Sequence, residues 1–200
     1  MGEPGRQRHT WAEYLALDDA SELKHEYREG WIVAMTGGTP RHARLIARLI
    51  SLTDQRLDRS GPCRVYSGDL RIRVMATGRA TYPDLSVVCG EEEHEPSSPH
   101  TVTNPTAIAE VLSDSTESYD RGDKFFHYQQ LPSLRDYVLV SQHRRQVDHF
   151  QRTDDGAWRV ARLGPGDTLP VHPGIEIAID DLYEGILAEP DDAPAVAGEG

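Results

Sequence analysis

Cysteine is scarce in this sequence: Cys63 and Cys89 are the only two in 200 residues. They are too far apart for CxxC chemistry and too few for a disulfide framework. Both lie in strand-like runs and read as small core residues. No apolar run approaches ~18 residues, so no helix is expected to span a membrane. The start, MGEPGRQRH, has no apolar stretch of the secretory kind. GxSxG, HExxH and P-loop patterns are missing, and the nine histidines form no i,i+4 pair. These gaps remove serine hydrolases, zinc proteases and P-loop enzymes from consideration. Lysine is almost absent too, with Lys24 and Lys124 the only two among 21 basic residues. Where an arginine-biased chain keeps a lysine, a compact ammonium is a distinct chemical choice.

What remains is a single ordinary domain able to bury roughly 70% of its unfolded surface. The apolar share of 38% and a mean hydropathy of −0.57 are low. Residues 1–9 and the acidic, Pro/Gly/Ala-rich stretch 187–200 are expected to be unstructured, leaving a domain at 10–186. Such a chain reads as cytoplasmic. The net charge is −12. Between Arg41 and Ala80, however, nine arginines face only three aspartates, which permits a focused phosphate contact within an acidic protein.

Thr10-Trp11-Ala12-Glu13 reads as a capping box opening a helix to about Asp18. Lys24 to Met35 alternates about a Glu29-Gly30 turn, as in a β-hairpin. Pro40 opens a helix with Leu45, Ile46, Leu49, Ile50 and Leu57 at helical spacing, closed by Gly61-Pro62. Strands are expected at 63–66, 69–74, 81–89 and 106–112, with a long loop at 91–104. A helix capped by Ser115-Thr116-Glu117 follows, stopped by Pro132, and later strands fall at 137–140, 147–152, 157–163 and 175–179. This order predicts an α+β fold, an α/β sandwich around a mixed sheet with helices on its flanks.

Charges inside apolar strands carry the chemical information. Asp84 opens the run Leu85-Ser86-Val87-Val88, and Glu110 interrupts Ala107-Ile108-Ala109 and Val111-Leu112. A carboxylate in a strand covered on both faces needs a partner or becomes protonated. Two that converge suit a divalent cation. The plainer reading makes Asp84 a strand cap and pairs Glu110 with an arginine. Lys124 forms either a surface pair with Asp120 or an ammonium beside those carboxylates, where it orients or deprotonates a water. Glu26 is either a solvated strand charge or a fourth member of the group.

The phrases HEYREGWIVAMTGGTPRHARLI, CRVYSGDLRIRV, TYPDLSVVCG and AIAEVLSDSTESYDRGDKFFHYQQLPSLRDYVLVS resemble the Uma2 family of endonucleases, within the restriction-endonuclease-like PD-(D/E)XK superfamily. The resemblance implies that core fold with extra C-terminal strands. It makes Pro83-Asp84 the PD and Glu110 the second acidic residue, with Asp84, Glu110 and the Val111 carbonyl binding Mg²⁺ or Mn²⁺. The motif's lysine is replaced by Leu112, and Lys124 on the next helix stands for it. Glu26 matches the superfamily's N-terminal acidic residue, a further metal or water contact. His42 and Asp69 lie in the same phrases with no assigned role. The implied activity is metal-assisted hydrolysis of DNA phosphodiesters, with Arg41, Arg44, Arg71 and Arg73 neutralising flanking phosphates and a homodimer by analogy. The competing reading is a catalytically idle module of the same fold, serving in nucleic-acid binding or oligomeric interaction.

Overall fold

The computed structural model describes residues 8–35 and 37–187. Most of the ends expected to lack structure (1–7 and 188–200) lie outside the described residues. His9 is held: its amide donates to the Gly30 carbonyl at 2.8 Å and its carbonyl accepts from the Tyr27 hydroxyl at 2.7 Å.

Thr10 caps helix α1 (Trp11–Asp19) in the reciprocal box with Glu13. Strands β1 (His25–Arg28) and β2 (Trp31–Ala34) form the expected hairpin, with Glu29 and Gly30 both at positive φ, as a tight primed turn requires. Helix α2 (Pro40–Arg56) starts behind Thr39, whose hydroxyl accepts from the His42 amide. It ends ahead of Gly61-Pro62, which lie in a turn.

Two six-stranded sheets make up the body. The first, with β3 (Cys63–Ser67), β6 (Leu85–Cys89), β9 (Pro105–Leu112), β10 (Asp136–Ser141), β11 (Val147–Arg152) and β12 (Trp158–Leu163), has the order β12-β11-β10-β9-β6-β3. The second adds β4 (Arg71–Val74), β5 (Arg79–Thr81), β7 (His94–Glu95) and β8 (Ser98–Val102), in the order β2-β1-β5-β4-β8-β7. The first is mixed, with β9 and β10 parallel. Helix α3 (117–128) connects them and carries a wide π turn at Asp120–Lys124. A small pair, β13 (Thr168–Val171) with β14 (Ile175–Ala178), leads to a C-terminal helix, Ile179–Tyr183.

Strand β9 is buried along all eight residues. Ala107, Ala109 and Val111 join the core under α2 and the C-terminal helix. Ile108 and Leu112 join a second core with Tyr128 of α3 and with Ile72, Val74 and Val102 of the other sheet. The period-two alternation of a strand therefore puts Glu110 on the face beneath α3.

Several expectations change. The run 81–89 is two strands in two sheets, because Pro83 has no amide for a ladder and Tyr82-Pro83-Asp84 makes the crossing. The loop 91–104 contains the β7–β8 hairpin, tied down by Arg73–Glu95 at 2.8 Å and by Trp11 Nε1–Ser97 Oγ at 3.0 Å. Strand β13 was hidden by Pro170. Thr116 makes no side-chain cap bond. Cys63 and Cys89 are not separate core thiols: they face each other across β3 and β6 with Cα atoms 4.0 Å apart and form a disulfide. Strand register, invisible in linear spacing, brings them together.

Arg71 and Arg73 do not face outward to phosphates. Arg71 is 4% exposed and donates to Asp18 at 2.6 Å, Asp19 at 2.8 Å, the Tyr82 hydroxyl at 2.9 Å and Thr101 at 3.2 Å. Arg73 lies over the Trp11 ring at 3.7 Å and pairs with buried Glu95. Both fasten peripheral elements to the second sheet. Arg71→Met strands the Asp18 carboxylate and is expected to cost about 3–5 kcal/mol in urea unfolding; a loss below about 1 kcal/mol contradicts this assignment.

Candidate active site

A cleft of about 460 Å³ opens between the β1–β2 hairpin, the start of α2 and the 113–116 turn, with β9 and α3 as its floor. Glu26, Asp84, Glu110 and Lys124 all line it. The Lys124 ammonium lies 2.7 Å from Glu110 Oε1, 3.4 Å from Asp120 Oδ1 and 3.5 Å from Glu26 Oε1. Tyr128 donates to Glu110 Oε1 at 3.2 Å and shares a 2.7 Å bond with Thr81. Glu26 accepts from Arg28 Nε at 2.8 Å and from the Tyr119 hydroxyl at 3.2 Å. Asp84, placed by the Tyr82–Asp84 crossing, accepts from the Val111 amide at 2.7 Å. His42 Nε2 contacts the Val111 carbonyl at 2.9 Å and lies 3.6 Å from Asp84 Oδ2.

Four carboxylates (Glu26, Asp84, Glu110, Asp120) thus meet two permanent cations, Lys124 and Arg28. Burial pushes the Glu110 carboxyl well above the usual range, and the negative Asp120 and Asp84 add to this against the pull of Lys124. Burial likewise raises Asp84, although the Val111 amide, His42 and Lys124 oppose it. Burial would lower Lys124, but Glu110, with Glu26 and Asp120 beside it, outweighs that and holds the ammonium firmly charged. Burial would raise Glu26, yet Lys124 and Arg28 keep it below the ordinary carboxylate range. Lys124 is therefore a donor and a fixed charge. Of the two roles expected of it, orienting a water suits this charged form, which its neighbours favour.

The donors that would hold a metal are all hard oxygens, namely Asp84, Glu110 and the Val111 carbonyl, whose second lone pair is not used by His42. Such a set suits Mg²⁺ or Mn²⁺, which keep several waters and need few protein ligands. Among the described residues no group of three His, Cys, Asp or Glu side chains is placed to hold an ion. Glu26 is drawn to Lys124 and Arg28, so it fits a charge-positioning part better than a ligand.

Of the other residues singled out, Arg41 is exposed and donates at 3.3 Å to the carbonyl of Gln142, a residue that lines the cleft. Arg44 is bound to the Gly185 carbonyl at 2.8 Å, on the side of α2 that meets the C-terminal helix. Asp69 lies outside the cleft as the exposed partner of Lys24. Asp120, which the plainer expectation makes a surface partner of Lys124, is only 3% exposed and belongs to the site. Arg28, Tyr119 and Tyr128, which bond Glu26 and Glu110, also belong to the site and are not among the expected residues. The available signal was the i,i+2 pairing of Glu26 with Arg28 on one strand face.

Because folding favours the neutral form of Asp84, its contribution to stability is complete below the ordinary aspartate range, near pH ~4. It is lost as pH rises through the elevated value. Asp84→Asn keeps an acceptor for the Val111 amide and is expected to melt ~2–4 °C above wild type at pH 7 in EDTA, as about 1 kcal/mol gives in a chain this size. The gap should close near pH ~4; a variant that melts lower at pH 7, or a gap independent of pH, contradicts the assignment.

Comparison with known proteins fits this geometry. The family model Uma2, described as "Putative restriction endonuclease", matches residues 11–181. Two uncharacterized proteins of Synechocystis sp. (strain ATCC 27184 / PCC 6803 / Kazusa) are similar over most of their length. Protein slr1290 is 38% identical over 175 residues, covering 87% of this chain and 90% of the relative. Protein sll1609 is 33% identical over 155 residues, covering 77% and 86%. The crystal structure of "a putative nuclease belonging to DUF820" from Anabaena variabilis superposes with a TM-score of 0.69 at 18% identity, covering 84% of this chain and 93% of that one, a likeness of fold. The restriction-endonuclease-like α+β architecture and the match over nearly the whole described chain lead to one conclusion: the protein belongs to the Uma2 family.

Proposed function

We propose that the chain is a Mg²⁺- or Mn²⁺-dependent nuclease that hydrolyses phosphodiester bonds in DNA. The observation that carries this reading is the convergence of Asp84, Glu110 and Lys124, distant in sequence, in one hydratable cleft. Asp84, Glu110 and the Val111 carbonyl would hold the cation, which supplies charge neutralisation at a phosphoryl oxygen and makes a nearby water more acidic.

The chain's own residues set the geometry. The Val111 amide fixes the Asp84 carboxylate, and His42 lies beside it on the Val111 carbonyl. Tyr128 fixes Glu110 from below. The Lys124 ammonium, held charged, orients the attacking water and offsets the negative charge that develops on the phosphoryl oxygens. The water oxygen forms the new P–O bond, the bond to the leaving oxygen breaks, that oxygen gains a proton, and the water's proton passes to solvent. Glu26 and Asp120 keep Lys124 protonated and in place.

The second reading, an idle module of the same fold, has one observation in its favour. The ammonium lies directly on Glu110, and no three-carboxylate cage is assembled among the described residues. Incubation with plasmid and labelled oligonucleotides in Mn²⁺ or Mg²⁺ separates the two. The nuclease reading expects cleavage that Glu110→Gln abolishes and Lys124→Met reduces by about 10²–10³. Inert wild type, or variants as active as wild type, favours the idle module.

A further inference from the structure

The candidate reacting groups lie deep for a nuclease of intact duplex. The cleft's 460 Å³ falls in the range of pockets for small ligands. Glu110 and Lys124 lie at its floor, each 4% exposed. A phosphodiester must therefore enter to meet them. An unpaired strand can bring one nucleotide into such a space, whereas a duplex brings the opposite strand and its stacked neighbours with it.

The arginines lead the same way. A protein that tracks a duplex neutralises a row of phosphates with exposed cations. Here the arginine-rich stretch is largely occupied by the fold itself. Arg71, Arg73 and Arg79 are pinned by Asp18, Glu95 and Asp123. Arg44, Arg48 and Arg56 are bound to Gly185, Glu184 and Asp181 around the C-terminal helix. Arg41 is exposed beside the cleft with its guanidinium on the carbonyl of Gln142, which lines it, while Arg28 in the wall is bound to Glu26.

We propose that this site, on the nuclease reading, takes an unpaired nucleic-acid strand, either free single-stranded DNA or the unpaired tail of a duplex, with Arg41 meeting the phosphate beside the scissile one. Such a substrate is cut by one site alone, so a second copy of the chain is not required for turnover.

The test uses the full chain in Mn²⁺ with three labelled DNAs of one sequence: a single strand, a blunt duplex, and a duplex with an unpaired tail. The single strand is expected to be cut at least ~10-fold faster than the blunt duplex, since the duplex must first unpair and unstack. Cleavage of the tailed duplex within its tail assigns the site to tails as well as free strands, and an intact tail assigns it to free strands alone. Binding of the single strand, followed by anisotropy in EDTA, should weaken with salt at a log–log slope of about −1.4, the value for two phosphates. Arg41→Ala should flatten that slope by about 0.7 without changing the melting temperature.

Blunt duplex cut as fast as single strand, or bound with a slope steeper than about −4, overturns the inference and leaves the nuclease reading intact. No cleavage of any of the three DNAs overturns the nuclease reading itself, and this inference with it.

Discussion

Glu110 sits in the middle of a strand with no exposed face, and the rest of the site is arranged around that carboxylate. Strand β9 is apolar and covered on both sides, so the charge can persist only if something on the α3 side answers it. Lys124 does so at 2.7 Å, and the π turn at Asp120–Lys124 turns that ammonium inward together with Asp120. Wide turns of this kind inside helices are frequent at functional positions. Tyr128, a turn further on, fills the remaining space and adds a hydroxyl to the same oxygen. The register of β9 thus dictates what α3 must carry.

The arrangement is electrostatically unfinished. Two permanent cations face four carboxylates, and the strain falls on the two carboxylates nearest the Val111 backbone: Asp84 and Glu110 are both raised, while Glu26 is held low by its own arginine and by Lys124. This asymmetry separates the roles. Glu26 and Asp120 flank the lysine, while burial opposes ionisation of Asp84 and Glu110, which on the proposed reading a hard cation would offset.

Much of this was legible in the sequence because charges inside apolar strands are rare and physically constrained. Asp84 and Glu110 stand out for that reason, and Lys124 for being one of two lysines. The hairpin at Glu29-Gly30, the Thr10 cap and the start of α2 were equally readable, since each rests on local chemistry. What escaped was whatever depends on tertiary pairing. Arg71 and Arg73 alternate with apolar residues as surface arginines do, yet a second layer formed by α1 and the β7–β8 hairpin covers them. Cys63 and Cys89 meet only because β3 pairs with β6. Asp120 looked like half of a surface ion pair, and only the packing of α3 onto β9 shows that the pair is buried.

The central claim, that Asp84 and Glu110 form a cation site, is tested most directly by titrating Mn²⁺ into the apo protein by calorimetry, alongside the Asp84→Ala/Glu110→Ala double variant. The account predicts saturable binding to the wild type, stronger as pH rises above the ordinary carboxylate range because both ligands must be deprotonated, and none to the double variant. Wild type that binds no Mn²⁺, or a double variant that binds it equally well, would contradict the account.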